Sequence, residues 1–118
     1  MKDRKEEITD TYFRLMHEHL EDVKAGRSKV LGLKDISERM HIQVRHLSNT
    51  VKAVTGKSPC HFFEEELINL SKELLGNNKY RISEVAFMLD YDPSNFTKFF
   101  KHYTGQTPSQ YQQSFAKN

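Results

Sequence analysis

Two groups of polar residues occur in this chain at positions i, i+3, i+4 and i+7, which places four side chains on one face of an α-helix. The first group is Arg45, Ser48, Asn49 and Lys52, and the second is Ser94, Thr97, Lys98 and Lys101. An arginine can bond both acceptors on a guanine edge, and an asparagine can bond an adenine edge in the same way. A lysine further along the helix neutralises phosphate. The chemistry available on these faces is that of binding a nucleic-acid duplex.

The two groups are related by an internal repeat. Any solvated helix face carries such residue types, so the types alone decide little. Residues 33–62 align without a gap on residues 82–111, a shift of 49 that pairs apolar positions with apolar positions. The identical pairs are Lys52 with Lys101, Thr55 with Thr104, Gly56 with Gly105, and Pro59 with Pro108. Amphipathic periodicity would align helices but not also the residues that end and begin them, so we expect a structural repeat.

Each repeat predicts two helices joined by a sharp turn. The apolar positions expected in the core are Leu33, Ile36, Met40, Leu47, Val51 and Val54 in the first repeat, and Phe96, Phe100 and Tyr103 in the second helix of the second repeat. Gly56 and Gly105 stand where a left-handed C-cap is needed, and the proline after each favours the start of another helix. Two helices joined in this way form a helix-turn-helix, whose second helix enters the major groove.

The chain as a whole is expected to be all-α, with about seven helices and no sheet. An amphipathic pattern from Ile8 to Val23 predicts an N-terminal helix, and one from Phe63 to Leu74 predicts a helix between the repeats. The expected segments are residues 1–30 (N-terminal helix and lead-in), 31–58 (first helix-turn-helix), 59–78 (connecting helix) and 79–118 (second helix-turn-helix and C-terminal helix).

Composition narrows the class of protein. The 118 residues include 18 basic and 16 acidic side chains, so the net charge of +2 does not by itself indicate a nucleic-acid partner. No apolar run approaches the length of a membrane span, and the charged N-terminus is unlike a secretory signal. The single cysteine excludes an internal disulfide and a cysteine-cage zinc site. We therefore expect a cytoplasmic domain with no membrane contact.

No residue cluster predicts catalysis, a metal or a cofactor. His17 and His19 are two positions apart on a helix and point to different faces, and Cys60–His61 has no third partner. No glycine-rich phosphate loop, nucleophile elbow or convergent acidic pair is present, so we do not expect an enzyme. The acidic run Glu64–Glu66 is most simply a solvated face, although it could touch a protein partner such as RNA polymerase.

The residues of the second repeat resemble a known family. The apolar-x-x-apolar-Ala start of the family pattern is matched by Ile82–Ala86, and its close is matched by Phe100, Lys101, Gly105, Thr107, Pro108 and Tyr111. Together with the connecting helix, this pattern is similar to the DNA-binding domain of AraC/XylS-type bacterial transcription regulators, over roughly residues 30–115. The resemblance implies two helix-turn-helix subdomains that read adjacent major-groove segments of promoter DNA.

Two further expectations follow from the resemblance. Relatives often carry a separate sensory domain, and residues 1–30 resemble a connecting helix, so we expect this chain to be the C-terminal part of a longer regulator. This segment would then be monomeric, and the full-length protein could dimerise through the other domain.

The alternative function is a helical protein-interaction module that has kept the fold but lost specific DNA reading. Because counterion release makes DNA affinity fall with salt, salt dependence separates the two.

Overall fold

The protein is all-helical in the residues that the structure, a computed structural model, describes, namely 2–77 and 79–116. The helices are α1 (Arg4–Lys24), α2 (Leu33–Arg39), α3 (Val44–Thr55), α4 (Pro59–Gly76), α5 (Ile82–Met88), α6 (Pro93–Thr104) and α7 (Pro108–Ala116). No strand occurs within these ranges. The predicted fold class and helix number are confirmed.

The helix boundaries repeat with the same shift as the sequence. α2 and α3 begin and end 49 residues before α5 and α6, and α4 and α7 begin at Pro59 and Pro108. Gly56 (φ 84°) and Gly105 (φ 78°) close α3 and α6 in the left-handed conformation, which glycine adopts without steric cost. The structural repeat is therefore confirmed down to individual helix ends.

The turn inside each helix-turn-helix also has a repeated backbone shape. His41 and Asp90 have positive φ values of 59° and 62°. The residue that follows each of them donates its N–H to a carbonyl five residues earlier, at 3.1 Å in the first repeat and 2.9 Å in the second. One left-handed residue thus redirects the chain within a four-residue connection, and the second helix of each repeat starts at the equivalent point.

The chain forms two compact units, Met1–Glu66 and Leu67–Asn118. Their boundary falls inside α4, so this helix contributes to both. In unit 1, α1 packs against α3 and α2. Its core is built from fully buried side chains on these three helices: Tyr12, Met16, Ile36, Leu47 and Val51. The Tyr12 hydroxyl donates to the Pro59 carbonyl at 2.9 Å, which ties α1 to the start of α4.

Unit 2 has an aromatic core. Phe96 and Phe100 of α6 are fully buried, and their rings lie 5.9 Å apart. The Tyr111 ring of α7 meets the Phe100 ring edge-on at 5.4 Å. The Gln112 side-chain amide donates to the Tyr80 carbonyl at 3.2 Å, which holds α7 to the segment before α5. These contacts fix α6 against its own unit.

Of the residues predicted to lie in the core, Leu33 and Met40 are half-buried and two others are exposed. Val54 is 41% exposed and Tyr103 is 36% exposed, and they occupy equivalent positions of α3 and α6. Val54 lies on the core side of its helix by periodicity, but it falls in the last turn, beside the charged start of α1 around Lys5 and Glu6. The prediction was wrong because periodicity gives the direction of a side chain and not whether an apolar neighbour covers it.

Candidate nucleic-acid interface

Helix α3 presents the first polar group on the side away from the unit 1 core. The buried residues of the helix are Leu47, Thr50 and Val51. The predicted contact residues Arg45, Asn49 and Lys52 are exposed, and Ser48 is half-buried. Because the buried residues occupy one side of the helix, the exposed three share the opposite side, with Ser48 at its margin. Arg45, Asn49 and Lys52 can therefore meet one partner surface together.

Helix α6 presents the second polar group in the same way. Phe96 and Phe100 are its buried residues. Ser94, Lys98 and Lys101 are exposed, and Thr97 is half-buried. The Thr97 hydroxyl donates to the Pro93 carbonyl at 2.9 Å, so its proton is engaged within the helix. Thr97 can therefore offer a partner only a hydroxyl acceptor and a methyl group.

The two polar faces are alike position by position. In each group the first, third and fourth residues are exposed and the second is half-buried. Equal helix lengths and equal C-cap geometry accompany this match. An α-helix is about 10–12 Å across, which fits the major groove of B-DNA, about 12 Å wide. Each helix can therefore bring its polar face to base edges.

The basic side chains on these faces are open to an external anion. Among the residues described, no acidic side chain forms an ion pair with Arg45, Lys52, Lys98 or Lys101. Ion pairs are found elsewhere, as between Arg14 and Glu18 at 3.4 Å on α1. A phosphate that approaches either polar face would thus not compete with an intramolecular carboxylate for those four side chains.

His46 is an exposed polar residue on α3 that was not among the predicted contact residues. His46 follows Arg45 on α3 and is also exposed. It lies 100° further round the helix, outside the i, i+3, i+4, i+7 series that was used as the signal. Its counterpart Asn95 on α6 donates its side-chain amide to Asp92 at 2.6 Å. His46 therefore widens the polar face of α3, whereas Asn95 is engaged with its own helix start.

Two histidines lie close to the acidic run Glu64–Glu66. His61 lies 2.7 Å from the carboxylate of Glu65, and His17 lies 3.6 Å from that of Glu66. No group of three or more histidine, cysteine, aspartate or glutamate side chains that could hold a metal occurs among the described residues. Within the same part of the chain, no helix is both long and apolar enough to span a membrane.

Comparisons with known proteins agree with this geometry. A family model described as a helix-turn-helix domain matches residues 36–114. The chain is 34% identical over 86 residues to YfiF, an HTH-type transcriptional regulator of Bacillus subtilis (strain 168), and the match covers 73% of this chain. The chain spans only 27% of the length of that relative.

Solved structures share the fold. An AraC-type transcriptional regulator of Chromobacterium violaceum has a TM-score of 0.75 at 18% identity, with 94% of each chain covered. The DNA-binding domain of AdpA, a global transcriptional factor solved in complex with a target DNA, has a TM-score of 0.70 at 16% identity, with 86% of this chain and 93% of that chain covered. The family match spans more than half of the chain, and so the chain belongs to the AraC-type helix-turn-helix family of DNA-binding transcription regulators.

Proposed function

We propose that this domain binds promoter DNA by placing α3 and α6 in successive major-groove segments of one duplex. The observation that carries the proposal is the match between the two polar faces, whose four positions have the same pattern of exposure in both repeats. These positions carry only hydrogen-bonding or basic side chains, and neither α3 nor α6 contains an acidic residue. Two helices that both bind DNA would each need such an exposed polar face.

The side chains suggest different tasks for the two helices. On α3, Arg45 would read guanine, Asn49 would read adenine, and Lys52 would neutralise phosphate. On α6, Ser94 and Thr97 offer short polar contacts, and Lys98 and Lys101 offer charge. Because the two sets differ, the preferred DNA site would be asymmetric, in contrast to the palindromes read by symmetric dimers.

A single chain would occupy the whole site. Dimeric helix-turn-helix proteins place two reading helices about 34 Å apart, one turn of DNA. Here both reading helices belong to one polypeptide, so dimerisation is not needed for two contacts. Any dimerisation of a longer protein would then add to this binding and would not create it.

Selection and footprinting with the isolated chain test the proposal. Repeated rounds of binding from a random duplex pool should enrich one asymmetric site. Hydroxyl-radical footprinting on that site should show two protected patches about 10 base pairs apart at one chain per duplex. A palindromic footprint that requires two chains would contradict the proposal, and binding that does not weaken with salt would favour the protein-interaction alternative.

RNA polymerase is a second partner that we propose at the acidic run Glu64–Glu66. Glu65 and Glu66 lie close to His61 and His17, an arrangement that would hold their carboxylates in place on unit 1. Replacing Glu65 with glutamine should then lower transcription from a dependent promoter without lowering DNA affinity. Equal transcription by the variant and the unmodified protein would contradict this proposed contact with RNA polymerase.

A further inference from the structure

Asp92 caps the N-terminus of α6 with its own side chain. Asp92 Oδ1 accepts the backbone N–H of Asn95 at 2.9 Å, and Asp92 Oδ2 accepts the Asn95 side-chain amide at 2.6 Å. Pro93, at the first helical position, has no N–H to offer. Of the donors that a helix start normally leaves open, one is therefore absent at Pro93 and one is bound at Asn95, and a negative charge stands beside the others.

The equivalent place in the first repeat is different. Gln43 is the N-cap residue of α3 and makes no side-chain hydrogen bond to that helix. In the turn just before, His41 stands where the second repeat has Asp90, with nearly the same φ. The backbone therefore presents these positions alike in each unit, so the difference between them is one of charge. Unit 2 has two exposed carboxylates where unit 1 has an imidazole and an amide.

The charges along the two reading helices differ accordingly. α3 carries Arg45 near its start and Lys52 near its end, so the whole face attracts phosphate. α6 has Asp92 at its start, and its first lysine is Lys98, the sixth residue of the helix, followed by Lys101. A carboxylate within a few ångströms of a phosphate raises the free energy of binding, and counterions screen this repulsion only in part.

We infer that Asp90 and Asp92 act as a negative determinant of DNA affinity in unit 2. They prevent the start of α6 from approaching the phosphate backbone, so the affinity of the domain is set by α3, and unit 2 contributes through Lys98 and Lys101. The inference rests on the proposed DNA-binding function. It adds that the two equivalent helices bind DNA unequally and names the residues responsible.

Charge removal at the two positions tests the inference. D90N and D92N each remove one negative charge, while asparagine keeps both the tolerance of left-handed φ and the N-cap hydrogen bond. Fluorescence anisotropy with the selected duplex should show roughly three- to tenfold tighter binding for each variant. The slope of log affinity against log salt should become steeper by up to about one for each charge removed.

The reciprocal substitution is the matched control. Q43D places a carboxylate at the start of α3, at the position equivalent to Asp92, and should weaken binding by at least the same factor. D92S, which also keeps an N-cap acceptor, should behave as D92N does, and thermal melting of each variant confirms that the fold is kept.

The outcomes separate this inference from the proposed function. If the unmodified chain shows no salt-dependent binding to any duplex, the proposed function fails, and the inference falls with it. If the unmodified chain binds but folded D92N and D92S bind equally or more weakly, only the inference is overturned. Tighter binding by D92N together with no effect of Q43D would also overturn it, because the start of α3 would then not lie at the backbone.

Discussion

The imidazole of His19 accepts a hydrogen bond from the backbone N–H of Leu31 at 2.8 Å. His19 lies on α1 and is 2% exposed, and Leu31 precedes the start of α2. The bond therefore anchors the end of the lead-in to α1 and determines where the first helix-turn-helix begins. It requires an unprotonated Nε2. Burial lowers the pKa of His19, nearby Arg39 lowers it further, and the carboxylates of Asp22 and Asp35 oppose this only in part.

The free energy of unfolding should consequently decrease at acidic pH. The pKa of His19 in the folded protein is below the ordinary value of 6.5, so the unfolded chain takes up this proton at a higher pH than the folded one. The contribution of His19 is complete above about pH 6.5 and is lost as pH falls through the folded pKa. Urea denaturation between pH 7.5 and pH 5 should show this loss, and H19Q, whose amide oxygen can accept the same bond without titrating, should reduce it. Equal slopes for both proteins would contradict the assignment.

Tyr12 should contribute to stability through its hydroxyl group as well as its ring. Y12F leaves the ring in place but removes the bond to the Pro59 carbonyl, and we expect a loss of about 1 kcal/mol in the free energy of unfolding. Y111F is the matched control, because no hydrogen bond of the Tyr111 hydroxyl is found in the described part of the chain. Chemical denaturation of the two variants should separate them, and an equal effect would mean that the Tyr12 bond adds nothing.

The core of unit 2 should depend on Phe100 far more than on Tyr103. Phe100 is fully buried between the Phe96 and Tyr111 rings, so F100A should cost about 3–5 kcal/mol. Y103A removes a ring that is 36% exposed and should cost about 1 kcal/mol. Denaturation followed by far-ultraviolet circular dichroism measures both. Similar losses would show that the two residues share one environment.

Most of the fold could be predicted because its boundaries are set by local chemistry. Gly56 and Gly105 end helices, since the left-handed conformation that they adopt is unfavourable for other residues. Pro59 and Pro108 begin helices, since their fixed φ suits the first helical position. These signals act within a few residues, so they can be recognised without knowledge of the contacts between helices.

The failures concern contacts with other elements. Burial of Val54 and Tyr103 depends on whether a neighbouring helix presents an apolar or a charged surface to the last turn, and periodicity does not contain that information. In the candidate site, the exposed face could be predicted as the complement of the buried one. Two side-chain hydrogen bonds could not be predicted, that of the Thr97 hydroxyl to Pro93 and that of the Asn95 side-chain amide to Asp92, because each depends on one rotamer.

Arg45 and Lys52 should affect DNA binding in different ways. R45A removes a bidentate contact to one base and should cost about 1–3 kcal/mol on the selected site with little effect on unrelated DNA. K52A removes a phosphate contact, so it should weaken binding to both duplexes alike and lower the salt slope by about one. R14A, an exposed change on α1 that breaks only the pair with Glu18, should leave both affinities unchanged.

Anisotropy titrations of the three variants on the two duplexes give the six dissociation constants that test this. Equal losses of R45A on selected and unrelated DNA would reassign Arg45 from base reading to phosphate binding, and specificity would then have to come from Asn49 or from the shape of the DNA.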